Sequence, residues 1–143
     1  LTSKHAIVKT FIDTSPFIYL IENHPNFSDQ VRKFIIEAFS NDELLITSVI
    51  TLMEFGVMPK RTGRQELISQ FENFLHAMNI PLEEVDLRIA ETASKLRAKY
   101  GFLKGMDALQ VSVAIVKECE QFLTNDRKLQ KISEIQILIV EDL

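Results

Sequence analysis

Residues 10–22 read TFIDTSPFIYLIE. An apolar run ending at Ile12 meets a carboxylate, Asp13, and a helix-start signal follows at once. Ser15-Pro16 predicts that start, because proline is favoured at the first helical position, where its missing N–H costs nothing. Asp13 is then spare. A charge at the end of a buried strand is either a cap for the next helix or one of several acids gathered for chemistry. The rest of the chain decides which.

Further apolar runs of strand length recur along the 143 residues. They are AIVKTFI (6–12), ELLIT (43–47), QFLT (121–124) and IQILIV (135–140), with a weaker candidate at IPLEEV (80–85). Between them lie segments of helical period. FSDQVRKFIIEAFS aligns Val31, Phe34, Ile35 and Ala38, and RQELISQFENFLHAM aligns Leu67, Phe71, Phe74 and Leu75. LRIAETASKLRAKYG aligns Ile89, Ala93 and Leu96 and predicts a helix end at Gly101. GMDALQVSVAIVKEC aligns Leu109, Val113 and Val116. Continuous apolar strands alternating with helices predict a three-layer α/β/α sandwich with a mostly parallel central sheet, built as one domain over residues 1–143. Ligands of such folds collect at the carboxyl ends of the strands.

Composition is that of an ordinary globular chain, with 46% hydrophobic and 25% charged residues and four each of Gly and Pro. This excludes fibrous and disordered classes. No apolar run approaches the ~18 residues of a membrane span, and no signal-peptide pattern opens the sequence. Cys119 is the single cysteine, so an internal disulfide is excluded and a reducing, cytoplasmic setting is expected. Without a His–Asp or His–Asn constellation around it, Cys119 reads as a packing residue rather than a nucleophile. The absence of a glycine-rich phosphate loop argues against a nucleotide-driven enzyme.

Four acids stand where a parallel sheet would expose them. Asp13 and Asp126 each follow an apolar strand directly. Glu54 lies in VITLMEFGVM, past a Ser48 cap candidate, at helical spacing with Ile50, Met53 and Val57. Asp107 opens GMDALQVSVAIV. Each has a plain structural explanation: Asp13 and Asp126 as caps, Asp107 as a complement to the helix dipole, Glu54 as a solvated acid paired to Lys60 or Arg61. Together they are more specific, since all four can converge on one sheet edge. Four carboxylates in one place repel, and burial adds to the cost. His5, His24 and His76 are scattered and form no metal-ligand pattern. The fitting counter-charge is a hard divalent cation, Mg²⁺ or Mn²⁺, bound through oxygen. Such a site suits phosphodiester hydrolysis. The net charge of −4 does not exclude an anionic substrate: without those four, the 20 acids fall to the number of the 16 bases. The bases also bunch, at Lys60, Arg61 and Arg64, at Lys95 to Lys104, and at Arg127, Lys128 and Lys131.

The series FIDTS, MEF, MDALQ and LTNDRKL resembles the PIN-domain nucleases, and especially the VapC-like toxins of toxin–antitoxin pairs, over essentially the whole chain. The resemblance implies that Asp13, Glu54, Asp107 and Asp126 bind Mg²⁺ or Mn²⁺ and are the catalytic residues. Thr14 or, preferably, Ser15 matches the small hydroxyl residue after the first acid, and Thr124 the polar residue before the last. Asn125 beside it can help orient Asp126. The implied activity is metal-dependent endoribonuclease cleavage by metal-activated water, without a covalent intermediate. The implied partners are an RNA substrate, a second copy in a homodimer, and an antitoxin in trans whose tail covers the acidic site. The surplus apolar residues of SPFIYLIE and VRKFIIEAF, Phe34 among them, are candidates for the antitoxin surface. One departure is Lys104-Gly105-Met106, where relatives often carry a small or polar residue before the third acid. Arg97, Lys99 and Lys104 are the candidate RNA phosphate contacts. Competing readings are a non-catalytic PIN-like RNA- or protein-binding module, a housekeeping RNA-processing nuclease, and a phosphoryl-transfer domain with Asp13 as nucleophile. The last usually shows a second acid two residues on, where this chain has Ser15.

Overall fold

In strand β1 (Lys9–Ile12), Phe11 and Ile12 are both wholly buried yet belong to different cores. This follows from the period of a strand, whose successive side chains point to opposite faces. In the computed structural model, which describes residues 7–143, Phe11 joins Ile46 and Phe122 beneath the last two helices. Ile12 joins Leu45 and Leu123 beneath the first four. The sheet therefore has a core on each side, and the molecule has three layers.

Five strands build the sheet in the order β3-β2-β1-β4-β5, every pair parallel: β2 is Leu44–Ser48, β3 Leu82–Glu83, β4 Gln121–Thr124 and β5 Gln136–Ile139. Helices α1 (Thr14–Ile21) and α2 (Ser28–Ser40) join β1 to β2. Helices α3 (Val49–Thr62) and α4 (Gln65–Ala77) join β2 to β3, and α5 (Leu87–Lys99) and α6 (Gly105–Val116) join β3 to β4. A 3-10 turn at Arg127–Lys131 leads to β5, and another at Val140–Asp142 follows it. The first predicted strand began at Ala6, which lies outside the described residues; β1 starts at Lys9. The weak candidate IPLEEV supplies the two-residue edge strand β3. Among the described residues, no helix is long and apolar enough to cross a membrane.

The centre of the sheet is held by aromatic packing. Phe11 and Phe122, paired in register on β1 and β4, stack with ring centres 5.1 Å apart. On the other face, Phe55 of α3 and Phe71 of α4 stack at 4.3 Å. Gly101 does not terminate α5 as expected. The helix ends at Lys99, with Tyr100 as C-cap in extended backbone, and Gly63 after α3 is the one described glycine in the left-handed region. The Tyr100 hydroxyl donates to Glu134 at 2.7 Å and accepts from the Ser133 amide at 3.1 Å. Those bonds tie the end of α5 to the segment before β5, while the Tyr100 amide closes the helix on the Leu96 carbonyl at 2.8 Å.

Candidate active site

Each of the four acids comes from a different connection, and each reaches the carboxyl edge of the sheet through its own backbone. Asp13 follows β1. It is not spare: α1 begins at Thr14, two residues earlier than Ser15-Pro16 suggested, and Asp13 is its N-cap, with Oδ1 accepting from the Thr14 amide at 2.8 Å. A helix starts where a side chain can satisfy its first amides, and aspartate does this well, while proline is tolerated anywhere in the first turn. Capping occupies one oxygen only. Oδ2 accepts from the Thr124 hydroxyl at the end of β4, 2.9 Å away, so the cap and the gathered acid are the same residue.

Glu54 lies on the second turn of α3, and its Oε1 accepts from the Thr14 hydroxyl at 2.6 Å. Its expected face splits: Ile50 is buried, but Met53 is 52% and Val57 39% exposed, so Glu54 stands on the border between core and solvent. Asp107 occupies the first turn of α6, whose N-cap is Lys104. Asp126 caps the 3-10 turn after β4, its Oδ1 accepting from the Lys128 amide at 3.1 Å, while its own amide donates to the Thr124 hydroxyl oxygen at 3.2 Å. Thr124 thus donates to Asp13 and accepts from the backbone of Asp126.

The four carboxyls act on one another. Burial pushes the Asp13 carboxyl up to about 6, against the hydrogen bonds from Thr14 and Thr124, and the charges of Asp107 and Glu54 push it the same way. Asp107 is also raised, first by burial, then by Asp126 and Glu54, with Lys104 and Lys128 opposing. Raised carboxyls in a cleft signal a site built for something other than stability. Among the described residues, no three acidic, His or Cys side chains already close into a metal cage. A hard ion such as Mg²⁺ does not need one, since it keeps several waters and is held by one or two carboxylates at a time. The donor set is all oxygen and strongly anionic, so Asp13, Glu54, Asp107 and Asp126 fit such a cation in charge and in ligand type.

The supporting residues divide. The Thr14 hydroxyl, at the first position of α1, reaches across to Glu54 on α3, while Ser15, preferred from the resemblance, sits half-buried on the next position of the turn. Thr124 joins Asp13 to the backbone of Asp126. Asn125 turns away, donating to the Tyr19 hydroxyl at 3.2 Å and accepting from the Glu141 amide at 3.2 Å, so it anchors the end of the chain rather than Asp126. Of the basic candidates, Arg97 donates to the Leu103 carbonyl at 3.3 Å and Lys99 is paired to Glu134 at 2.9 Å. Lys104 is exposed beside Asp107, and Lys128, noted in the sequence only as part of a basic cluster, acts on the same acid. The sequence also gave no notice of a buried polar layer beneath the acids: Thr47, Ser48, Thr51 and Gln110, all 0–1% exposed. Its one sign was a glutamine three residues after Asp107 in an otherwise apolar helix. Cys119 is partly buried and burial pushes its thiol up to about 12, so it stays protonated and packs.

The PIN domain family matches residues 10–135 of the sequence. The chain belongs to that family. No curated protein matches it closely. Solved structures share the PIN fold at low identity. VapBC2 from Rickettsia felis, bound to a promoter DNA fragment, has a TM-score of 0.78 at 18% identity, covering 92% of this chain and 98% of that one. DNA-bound VapBC from Salmonella typhimurium gives 0.75 at 22% identity, covering 94% and 99%. The sarcin–ricin loop cleaving toxin VapC20 from Mycobacterium tuberculosis gives 0.66 at 14% identity, covering 88% and 98%. The fold is thus matched over nearly the whole chain.

Proposed function

We propose that this PIN-domain chain is a Mg²⁺- or Mn²⁺-dependent endoribonuclease and serves as the toxin of a toxin–antitoxin pair. The observation that carries the reading is the convergence of Asp13, Glu54, Asp107 and Asp126, where burial first, and then the charges of Asp107 and Glu54, push the Asp13 carboxyl up to about 6. A protein gains nothing in stability from gathering four like charges, so the cluster calls for a cationic ligand. When bound, a divalent ion supplies a nucleophilic water at neutral pH and neutralises charge on the leaving oxygen. The four acids would hold it. Thr14 fixes Glu54, Thr124 and the Thr14 amide fix Asp13, and the cap geometry of Asp126 fixes the fourth carboxylate. Lys104 and Lys128 flank Asp107 and are suited to the phosphates on either side of the cleaved bond.

A cavity of about 280 Å³ between α1, α3 and α4 has Glu54 in its wall; Ile18, Phe55, Met58 and Leu67 line it with Glu22 and with Arg64, which is paired to Glu66 at 3.1 Å. Its apolar walls with charged groups among them suit an amphipathic segment of a partner, which is where we assign the antitoxin. We favour that groove over the Phe34 face for the antitoxin, because Glu54 forms part of its wall. The reading includes a homodimer and a cytoplasmic setting. The nuclease reading is tested by calorimetric titration of Mn²⁺ into wild type and Asp107→Asn, followed by incubation of both with a panel of structured RNAs. Wild type should bind and cut while Asp107→Asn loses most of both. Equal Mn²⁺ binding by the two proteins would remove Asp107 from the site and break the quartet.

A further inference from the structure

The buried polar layer below the acids is continuous, and its protons can be counted. Thr47 at the end of β2 gives its single hydroxyl proton to the Ile12 carbonyl, 2.7 Å away. The hydrogen bond between Thr47 and Thr51, at 2.8 Å, must then be donated by Thr51. Thr51 is left as an acceptor for Gln110 Nε2, at 2.7 Å. Ser48, whose oxygen caps Ile50 of α3, donates its proton to Gln110 Oε1. That fixes which end of the Gln110 amide is oxygen. Its second amide proton points at Asp13 Oδ1, 3.4 Å away, the oxygen that also accepts from the Thr14 amide.

Gln110 therefore uses its oxygen and both amide protons, with 1% of its surface exposed. It does so against three elements: the cap of α3, the first turn of α3, and the end of β1. It also sits on α6, one turn after Asp107. A glutamine of this kind costs free energy to bury unless every partner is in place. Leucine or methionine of similar volume would fill the space between helix and sheet without that demand. The hydrogen bonds themselves are the reason for a glutamine here.

From this geometry we infer that Gln110 is the positioning residue of the acidic site, locking the Asp13 carboxylate of β1 to the helices that carry Asp107 and Glu54. The inference rests on the nuclease reading for its consequence, since what is positioned is a ligand set. It does not rest on it for its structure. Partners that orient metal ligands from behind are typically worth ten- to a hundred-fold in metal affinity.

The variant Gln110→Met keeps the volume and removes the amide. Two readouts separate positioning from packing. In calorimetry with Mn²⁺ alone, Gln110→Met should bind about ten-fold or more weakly than wild type. In hydrogen exchange without metal, the Thr14 amide, which reports on Asp13 Oδ1, should exchange faster relative to other α1 amides. A packing role would lower Tm and leave both readouts at wild-type values, which overturns the inference. If Gln110→Met does not fold, Thr51→Val removes one of the amide's partners without touching Asp13 and is judged by the same two readouts. If wild type itself binds no Mn²⁺, the metal reading fails and the Thr14 exchange alone decides the role of Gln110.

Discussion

Raising the pH from 5 to 7.5 should destabilise the metal-free protein through Asp13. The carboxyl titrates at about 6 in the folded chain against 3.8 for a free one, so folding strengthens its hold on the proton. Its contribution to stability is complete below pH 3.8 and is lost as the pH climbs through 6. The whole shift corresponds to roughly 3 kcal/mol. Over pH 5 to 7.5 the folded carboxyl goes from mostly protonated to ionised, and about 1.4 kcal/mol of that is lost. For a chain of this size that is a fall in Tm of about 4 °C. Asp107 is raised as well and acts in the same direction. The assay is thermal or urea unfolding of wild type and Asp13→Asn across this range, in chelator. Asp13→Asn keeps the side-chain shape and has no proton to lose, so the difference between the two proteins should widen with pH in favour of the variant. Parallel curves would refute the reasoning, because the Asp13 carboxyl would then not be raised by its burial beside the other acids. Adding Mg²⁺ at pH 7.5 should stabilise wild type and do little for the variant.

Lys104→Ala and Lys128→Ala should each weaken RNA binding across sequences and reduce the slope of log affinity against log salt by about 1, as for a single phosphate contact. Lys99→Ala should leave that slope unchanged, because Lys99 is committed to Glu134; filter binding at several salt concentrations distinguishes them. Ser112 on α6 is wholly buried, and among the described residues its hydroxyl has no hydrogen-bond partner. Ser112→Ala should therefore raise stability in urea unfolding by about 1 kcal/mol, an orphaned polar group being removed. Phe122→Ala removes a fully buried ring stacked on Phe11 and should cost about 3–5 kcal/mol, enough to read directly as a shift in the urea midpoint.

Strand and helix placement was legible because apolar periodicity is a local property. Phe11, Ile46 and Phe122 had to lie in strands wherever the strands ended up. The positions of Asp13 and Asp126 were legible for a related reason: the end of a parallel strand is fixed by the same pattern, and they stand one and two residues past it. Cap chemistry was less so. Asp13 and Ser15 are both good caps in the abstract, and only the position of Thr124 and Gln110 across the sheet shows which one the chain uses. Thr47, Thr51 and Gln110 were hidden because a buried polar residue looks, in sequence, like any exposed one. Lys99 and Lys104 were equivalent in a charge cluster until α5 turned one toward Glu134 and α6 left the other beside Asp107.

The sheet order has a consequence for biosynthesis. Strand β1 lies between β2 and β4, and the Asp13 amide donates to the Leu123 carbonyl at 2.9 Å. The first acid thus waits for a partner more than a hundred residues downstream. A nascent chain emerging from the ribosome can pair β1 with β2 early, but β1 keeps an open edge and Asp13 stays hydrated until β4 has been made. Thr124, which then fastens Asp13, and Asp126, which completes the four, arrive within two residues of each other. Translation itself thereby delays the site: a chain released early has no finished acidic cluster, and a complete one acquires it in a single closing step.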